Sequence, residues 1–288
     1  NDLHLNERLY LICKITEISS LRSLNKYKEA ENIFKELIDN NKYKKYLEYG
    51  FVLRHSGTIY DDSKKAIPYV IEGIKHFKNH NATIQELHTK IELSVMYIYN
   101  NDFDLARKEL ESALKISQNQ FIENYIINNN LAIVNLYQSV DIKKTYQMLK
   151  KSLSMVQTPF DKLALHINLL ISANAINSEE ELIINLCSTI DELCQLNNIS
   201  DKEIKRIAYF NLILSCKLIK NDSLFNTYKK RFKEIIVDGD KYDINKKFNL
   251  LITNKLNFFN QENHIGEFIS CELSHWSIEF DSILKNFE

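Results

Sequence analysis

The chain has 288 residues, of which 44% are hydrophobic and 26% charged, and its formal net charge is -1. This composition can bury a large core and excludes a disordered tail. The balanced charge leaves no overall electrostatic footprint for nucleic acid. No apolar run reaches the length of a membrane span, and the amino terminus has no basic-then-apolar leader, so we expect a cytoplasmic protein without membrane or nucleic-acid contacts.

Glycine and proline are scarce, with five and two residues respectively. Because both residue types interrupt helices, their scarcity predicts nearly continuous helix joined by short turns, an all-α fold. The chain begins at Asn1 without a methionine and enters a helical pattern at Leu5 and Leu9. We therefore expect a single repeat domain over residues 1–288 that is a piece of a longer protein, with any chemistry held elsewhere in that protein.

The sequence contains a repeated pattern of small and bulky residues. The turn Asn101-Asp102 is followed by Phe103, Ala106 and Leu110, and the same spacing of small and bulky residues occurs 76 positions earlier, around Ala30. The small-residue position recurs at steps of 36, 40, 39 and 37, at Ala30, Ala66, Ala106, Thr145 and Leu182. Such steps are typical of helix-pair repeats.

A second register, in the first helix of each pair, supports the same period. An Asn followed by three apolar residues recurs at steps of 38, 43 and 38, at Asn130, Asn168, Asn211 and Asn249. Together the two registers predict a right-handed α-solenoid of about seven antiparallel helix pairs. The predicted pairs are 3–24 with 27–39, 42–60 with 63–79, 83–100 with 102–117, 120–139 with 141–156, 159–175 with 178–197, 201–220 with 222–237, and 241–260 with 263–287.

Residues 87–120 resemble the tetratricopeptide repeat most closely. The large, small and aromatic positions of that family coincide here with Leu93, Ser94, Tyr97, Ala106, Leu110 and Ala113. The resemblance implies a scaffold that binds a protein or a peptide on its concave face. It implies neither a catalytic residue nor a cofactor.

The Asn residues Asn130, Asn168, Asn211 and Asn249 are the most specific candidates for a binding site. An amide side chain offers donors and an acceptor, which can grip the main chain of an extended peptide whatever its sequence. Alternatively, each Asn ties one helix to the next through a backbone hydrogen bond. On the same predicted groove, one turn away, we place Tyr137, Asn174 and Lys217.

Candidates for chemistry are weaker. His76 and His80 lie four residues apart without a third ligand at a dictated spacing, so we expect solvated histidines and not a metal site. Cys187 and Cys194 share a helix face and are expected to be buried thiols, with zinc as the alternative. No phosphate-binding or nucleophile motif occurs. We therefore expect no enzyme, metal or cofactor, and a scattered site of His76, His80 and Glu92 is the catalytic alternative.

The last predicted helix contains the single Trp. Leu273, Trp276, Phe280, Ile283 and Leu284 form one apolar stripe at helical spacing. A terminal repeat has no following neighbour, so we expect this helix to seal the core. An exposed docking helix is the alternative.

Two functional hypotheses follow from resemblance. The high frequency of Asn, Lys and Ile is typical of an AT-rich genome and favours a bacterial source. The irregular repeats and the Met-less start resemble the carboxy-terminal sensor regions of bacterial signal-transduction ATPases with numerous domains. Some of those regions dock phage proteins in antiphage defence. The repeats also resemble peptide-pheromone receptors of Gram-positive bacteria and their phages, which often hold peptides with inner-face Asn residues.

Overall fold

The computed structural model describes residues 2–60, 62–120, 124–156, 158–196, 198–235, 243–253 and 268–273. Within these ranges the chain forms α-helices and no β-strand. The α-helices are α1 Asp2–Ser23, α2 Tyr27–Ile38, α3 Glu48–Ile59, α4 Ser63–Asn79, α5 Thr83–Tyr99, α6 Phe103–Gln120, α7 Asn124–Tyr137, α8 Ile142–Ser152, α9 Pro159–Ala175, α10 Glu180–Gln195, α11 Lys202–Leu218, α12 Asp222–Glu234 and α13 Ile244–Ile252. No helix in the described ranges is long and apolar enough to span a bilayer.

The described residues fall into two compact units, which we treat separately. The first contains α1 to α6, and the second contains α7 to α13 with residues 268–273. In each unit a helix packs against the next helix along the chain and also against the next but one, as α3 does with α5 and α9 with α11. Packing between near neighbours in sequence defines an α-solenoid, which confirms the predicted fold class.

The small-residue register determines how the paired helices pack. Ala30, Ala66, Ala106 and Thr145 are each the fourth residue of their helix, and all four are fully buried. In the next pair the prediction is wrong by one residue. Because α10 begins at Glu180, its fourth residue is Ile183, which is buried, while the predicted Leu182 is half-buried.

The turns within the pairs repeat one backbone motif in which a left-handed residue ends a helix. Asn25, Asn101 and Asn177 have φ values of 60°, 62° and 51°. After Asn101, the amide of Asp102 donates to the carbonyl of Tyr97, at 2.8 Å. This is the Schellman motif, in which asparagine can replace the usual glycine. It accounts for tight turns in a chain with so few glycines.

Two predicted helices differ from the structure at their bounds. The predicted helix 42–60 begins only at Glu48, because Asn41–Tyr43 forms a separate 3-10 turn that Asn40 caps by accepting a hydrogen bond from the Lys42 amide at 3.3 Å. The predicted helix 263–287 is wrong over residues 268–273, which are not helical. Trp276 and the stripe residues after Leu273 lie outside the described residues.

Candidate functional site: an asparagine row that holds an extended segment

The candidate site is formed by three helices of the second unit, α7, α9 and α11, which are buried on nearly every side. In α9, all side chains from Leu163 to Ala173 are buried, and α7 and α11 have similarly long buried runs. An amide in such surroundings requires hydrogen-bond partners, because leaving it unpaired costs about 1–3 kcal/mol. Asn130, Asn168 and Asn211 each lie in one of these runs and have no exposed surface.

These three side chains, the asparagine row, bind the main chain of residues 268–273, the resident segment. The Asn211 Nδ2 donates to the carbonyl of Ile269 at 2.7 Å, and its Oδ1 accepts from the amide of the same residue at 3.0 Å. Asn168 forms the same pair of bonds with Cys271, at 2.8 and 3.0 Å. Asn130 does so with Leu273, at 2.9 and 3.0 Å.

The residues held by the asparagine row alternate along the segment. In an extended chain the N–H and C=O of one residue point to the same side, and every second residue repeats that direction. Each carboxamide therefore acts as one residue of a neighbouring β-strand would act. The asparagine row bonds only to main-chain atoms of the segment, so these hydrogen bonds do not depend on the side chains of the segment.

Asn129 completes the hydrogen-bond network and was missed in the sequence analysis. Its Nδ2 donates to the Cys271 carbonyl at 2.9 Å and to Asn130 Oδ1 at 3.2 Å, and its Oδ1 accepts from Asn168 Nδ2 at 2.8 Å. The run of three Asn residues in an otherwise apolar stretch of α7 was the available signal. Asn129 connects two members of the asparagine row and fixes the orientation of their amides.

The side chains of the resident segment are also enclosed. Phe268, Ile269, Ser270, Cys271 and Leu273 are 3%, 6%, 7%, 6% and 2% exposed. Glu272 is only half-buried and accepts a hydrogen bond from Ser270 Oγ at 2.9 Å. The site therefore encloses five of the six side chains and leaves the fifth position open to water.

Tyr137 lies beside the resident segment. Its hydroxyl is 3.2 Å from Ser270 Oγ, so it contacts the segment through a side chain. Burial raises the pKa of Tyr137, and burial also raises the pKa of the Cys271 thiol well above its usual value. Both groups are therefore neutral at physiological pH and add no charge beside the buried segment.

Asn174 and Lys217 each connect two helices of the second unit. The Asn174 Nδ2 donates to Ser215 Oγ at 2.9 Å and so links α9 to α11. The Lys217 ammonium donates to the Leu251 carbonyl near the end of α13, at 2.7 Å. Partial burial lowers the pKa of Lys217.

Asn249 does not join the row. The buried residues of α13 are Ile244, Phe248 and Leu251, which lie on one face, and Asn249 is exposed beside that face. α13 is buried on one side only, unlike α11. The same Asn-Leu-Leu-Ile sequence thus places Asn168 inside the unit and Asn249 at its surface.

The other sequence candidates remain apart from this site. His76 Nε2 is 2.8 Å from the Tyr46 carbonyl, whereas Glu92 forms a buried ion pair with Arg54. Within the described part of the chain, no group of three or more His, Cys, Asp or Glu residues is placed to hold a metal ion. Cys187 and Cys194 are buried free thiols.

Fold and site together define an α-solenoid with a slot for one extended chain. The fold is similar to the solved structure of the apo form of the quorum sensor NprR from B. thuringiensis, with a TM-score of 0.52 and 12% sequence identity over 85% of this chain and 71% of that chain. At this identity the likeness concerns the fold alone. No protein-family model and no curated protein matches the sequence.

Proposed function

We propose that this chain is the recognition region of a helical-repeat sensor that binds an extended peptide by its main chain. The observation that carries the proposal is the pairing of three buried carboxamides with the N–H and C=O of alternate residues. This is the pairing that a strand makes with its neighbour, and it is a known way to hold a peptide of varied sequence. The role requires no catalytic group.

Similarity to a quorum sensor supports the receptor hypothesis more than the ATPase hypothesis. In the ATPase hypothesis, the chain would dock a large folded viral or cellular protein. The slot supports a different ligand, because it holds a single extended chain. We therefore propose a short peptide as the ligand, with a bacterial signalling role.

The test requires a chain in which the resident segment no longer fills the slot. Ile269→Asp places a carboxylate at a position that is 6% exposed, and an unpaired buried charge strongly disfavours the bound segment. Cys271→Pro is a second variant for the same purpose, since proline lacks the N–H that Asn168 accepts. Circular dichroism identifies which variant keeps its helices.

The probe is an acetylated, amidated peptide, Phe-Ile-Ser-Ala-Glu-Leu, which copies the segment with Ala in place of Cys. Isothermal titration calorimetry should show saturable binding of the peptide to the emptied chain. Adding Asn168→Ala should weaken binding, while adding Asn249→Ala, in the same local sequence but exposed, should not. A folded, emptied chain that fails to bind the peptide, or binds it equally with Asn168→Ala, would contradict the proposal.

A further inference from the structure

The resident segment belongs to the same chain as the asparagine row but lies far away in sequence. Ile269 is 58 residues from Asn211, and Leu273 is 143 residues from Asn130. The row contacts only amide N–H and C=O groups of the segment, and every peptide carries these groups. Nothing in the row itself therefore distinguishes the segment from another extended peptide.

We propose that residues 268–273 are a built-in competitor for the slot, and that the activating ligand is an extended apolar peptide that displaces them. This inference rests on the proposed function and adds the class of ligand and the way in which binding is controlled. The chain is then blocked at rest by its own segment. Binding of the ligand and release of the segment are one event.

The enclosure of the segment defines which ligands can compete. Positions one, two, three, four and six are buried, so the ligand needs apolar or small neutral side chains there. Position five corresponds to the half-buried Glu272 and tolerates a charged side chain. Positions two, four and six must each supply an N–H to Asn211, Asn168 and Asn130, which excludes proline at those positions.

The competition also sets the sensitivity of the sensor. Because the segment and the asparagine row belong to one chain, the segment competes at an effective concentration set by the chain that joins them. The apparent affinity for an outside peptide equals the affinity of the open slot multiplied by the fraction of chains whose slot is open. A peptide that merely copies the segment should therefore bind the emptied chain tightly and the native chain weakly.

Cys271 provides a direct readout of displacement in the unaltered protein. Its thiol is buried, and burial raises its pKa, so both access and thiolate content are low while the segment is bound. Cys13 is exposed and serves as the fast reference. Cys187 and Cys216 are buried in α10 and α11 and serve as controls for general unfolding.

The experiment measures alkylation of each cysteine in the native chain by mass spectrometry, with and without the Phe-Ile-Ser-Ala-Glu-Leu peptide. We expect the peptide to accelerate alkylation of Cys271 by about tenfold or more, since a protected group reacts through the open population. Alkylation of Cys187 and Cys216 should not change. Peptide affinity should be at least about tenfold higher for the Ile269→Asp chain than for the native chain.

Two results would overturn the inference while leaving the proposed function intact. One is unchanged protection of Cys271 at peptide concentrations about a thousandfold above the dissociation constant of the emptied chain. The other is equal affinity of the native and emptied chains, because a competitor must weaken apparent binding. Failure of the peptide to bind the folded, emptied chain would instead refute the proposed function.

Discussion

Replacing the buried Asn168 with Ala should strongly destabilise the second unit. The Asn168 carboxamide makes three hydrogen bonds, of which two join Cys271 at 2.8 and 3.0 Å and one joins Asn129 Oδ1 at 2.8 Å. The Cys271 carbonyl keeps its bond from Asn129 at 2.9 Å. The Cys271 N–H and the Asn129 Oδ1 lose the partners that Asn168 supplied.

The magnitude follows from those losses. A typical net contribution is about 1 kcal/mol per hydrogen bond, and a buried donor left unpaired costs about 1–3 kcal/mol. We therefore expect Asn168→Ala to lower the free energy of unfolding by about 3 kcal/mol. The loss of stability has an upper limit. Once binding of the segment becomes unfavourable, the segment leaves the slot, and the packing of the remaining helices still stabilises the unit.

Urea denaturation followed by circular dichroism measures this change, with Asn249→Ala as the matched control. Asn249 has the same three following residues and an exposed side chain, so its replacement should change the free energy of unfolding by no more than about 0.5 kcal/mol. Equal, small effects of the two substitutions would refute the reasoning that the asparagine row carries the segment.

Three further predictions concern other buried groups. Burial lowers the pKa of His166, so the unfolded chain binds the proton more readily than the folded chain. The contribution of His166 to stability should fall as pH drops below about 6.5, by at most about 1.4 kcal/mol per pH unit, and thermal melts of His166→Gln should show a weaker loss of stability at low pH. Arg54→Met alone should cost about 3–5 kcal/mol by leaving the Glu92 carboxylate unpaired, and urea denaturation should show that adding Glu92→Leu recovers most of the loss. A Cβ at Gly50 would lie 2.6 Å from the Phe77 ring, so Gly50→Ala should cost about 1–3 kcal/mol in the same assay, and an unchanged midpoint would contradict the packing.

The sequence predicted the helix pairs because their signal is local. A small residue in the second helices of the first four pairs and an Asn in the first helices of the last four pairs recur at steps of 36 to 43 residues. Several turns also carry Asn where a left-handed residue is needed. Within each helix, the spacing of these residues depends only on neighbours within one or two helical turns. These patterns therefore predicted the helices, and they placed Asn130, Asn168 and Asn211 on adjacent first helices.

The occupant of the slot could not be predicted in the same way. Residues 268–273 contact helices that lie 58 to 143 residues earlier, and no local pattern reports such distant pairing. The segment was assigned to a helix because Leu273 falls in register with the stripe that includes Trp276. Its mostly apolar run after Gly266 is equally compatible with an extended chain, which periodicity over a few residues cannot distinguish from a helix.

The difference between Asn168 and Asn249 has a similar cause. Both precede Leu-Leu-Ile, and a repeat register assigns them the same place. Their burial depends on what surrounds each helix, since α9 is enclosed and α13 has one buried face. Sequence spacing indicates the face of a helix on which a residue lies, but it does not show whether another element covers that face.

The central claim is that the asparagine row holds the main chain of an extended peptide at every second residue. The most direct test is N-methylation of the Phe-Ile-Ser-Ala-Glu-Leu peptide, one amide at a time, with affinity measured on the Ile269→Asp chain. The account predicts that methylating Ile, Ala or Leu abolishes binding, because those amides donate to the row, and that methylating Ser or Glu has little effect. Equal losses at all positions, or losses at Ser and Glu alone, would contradict it.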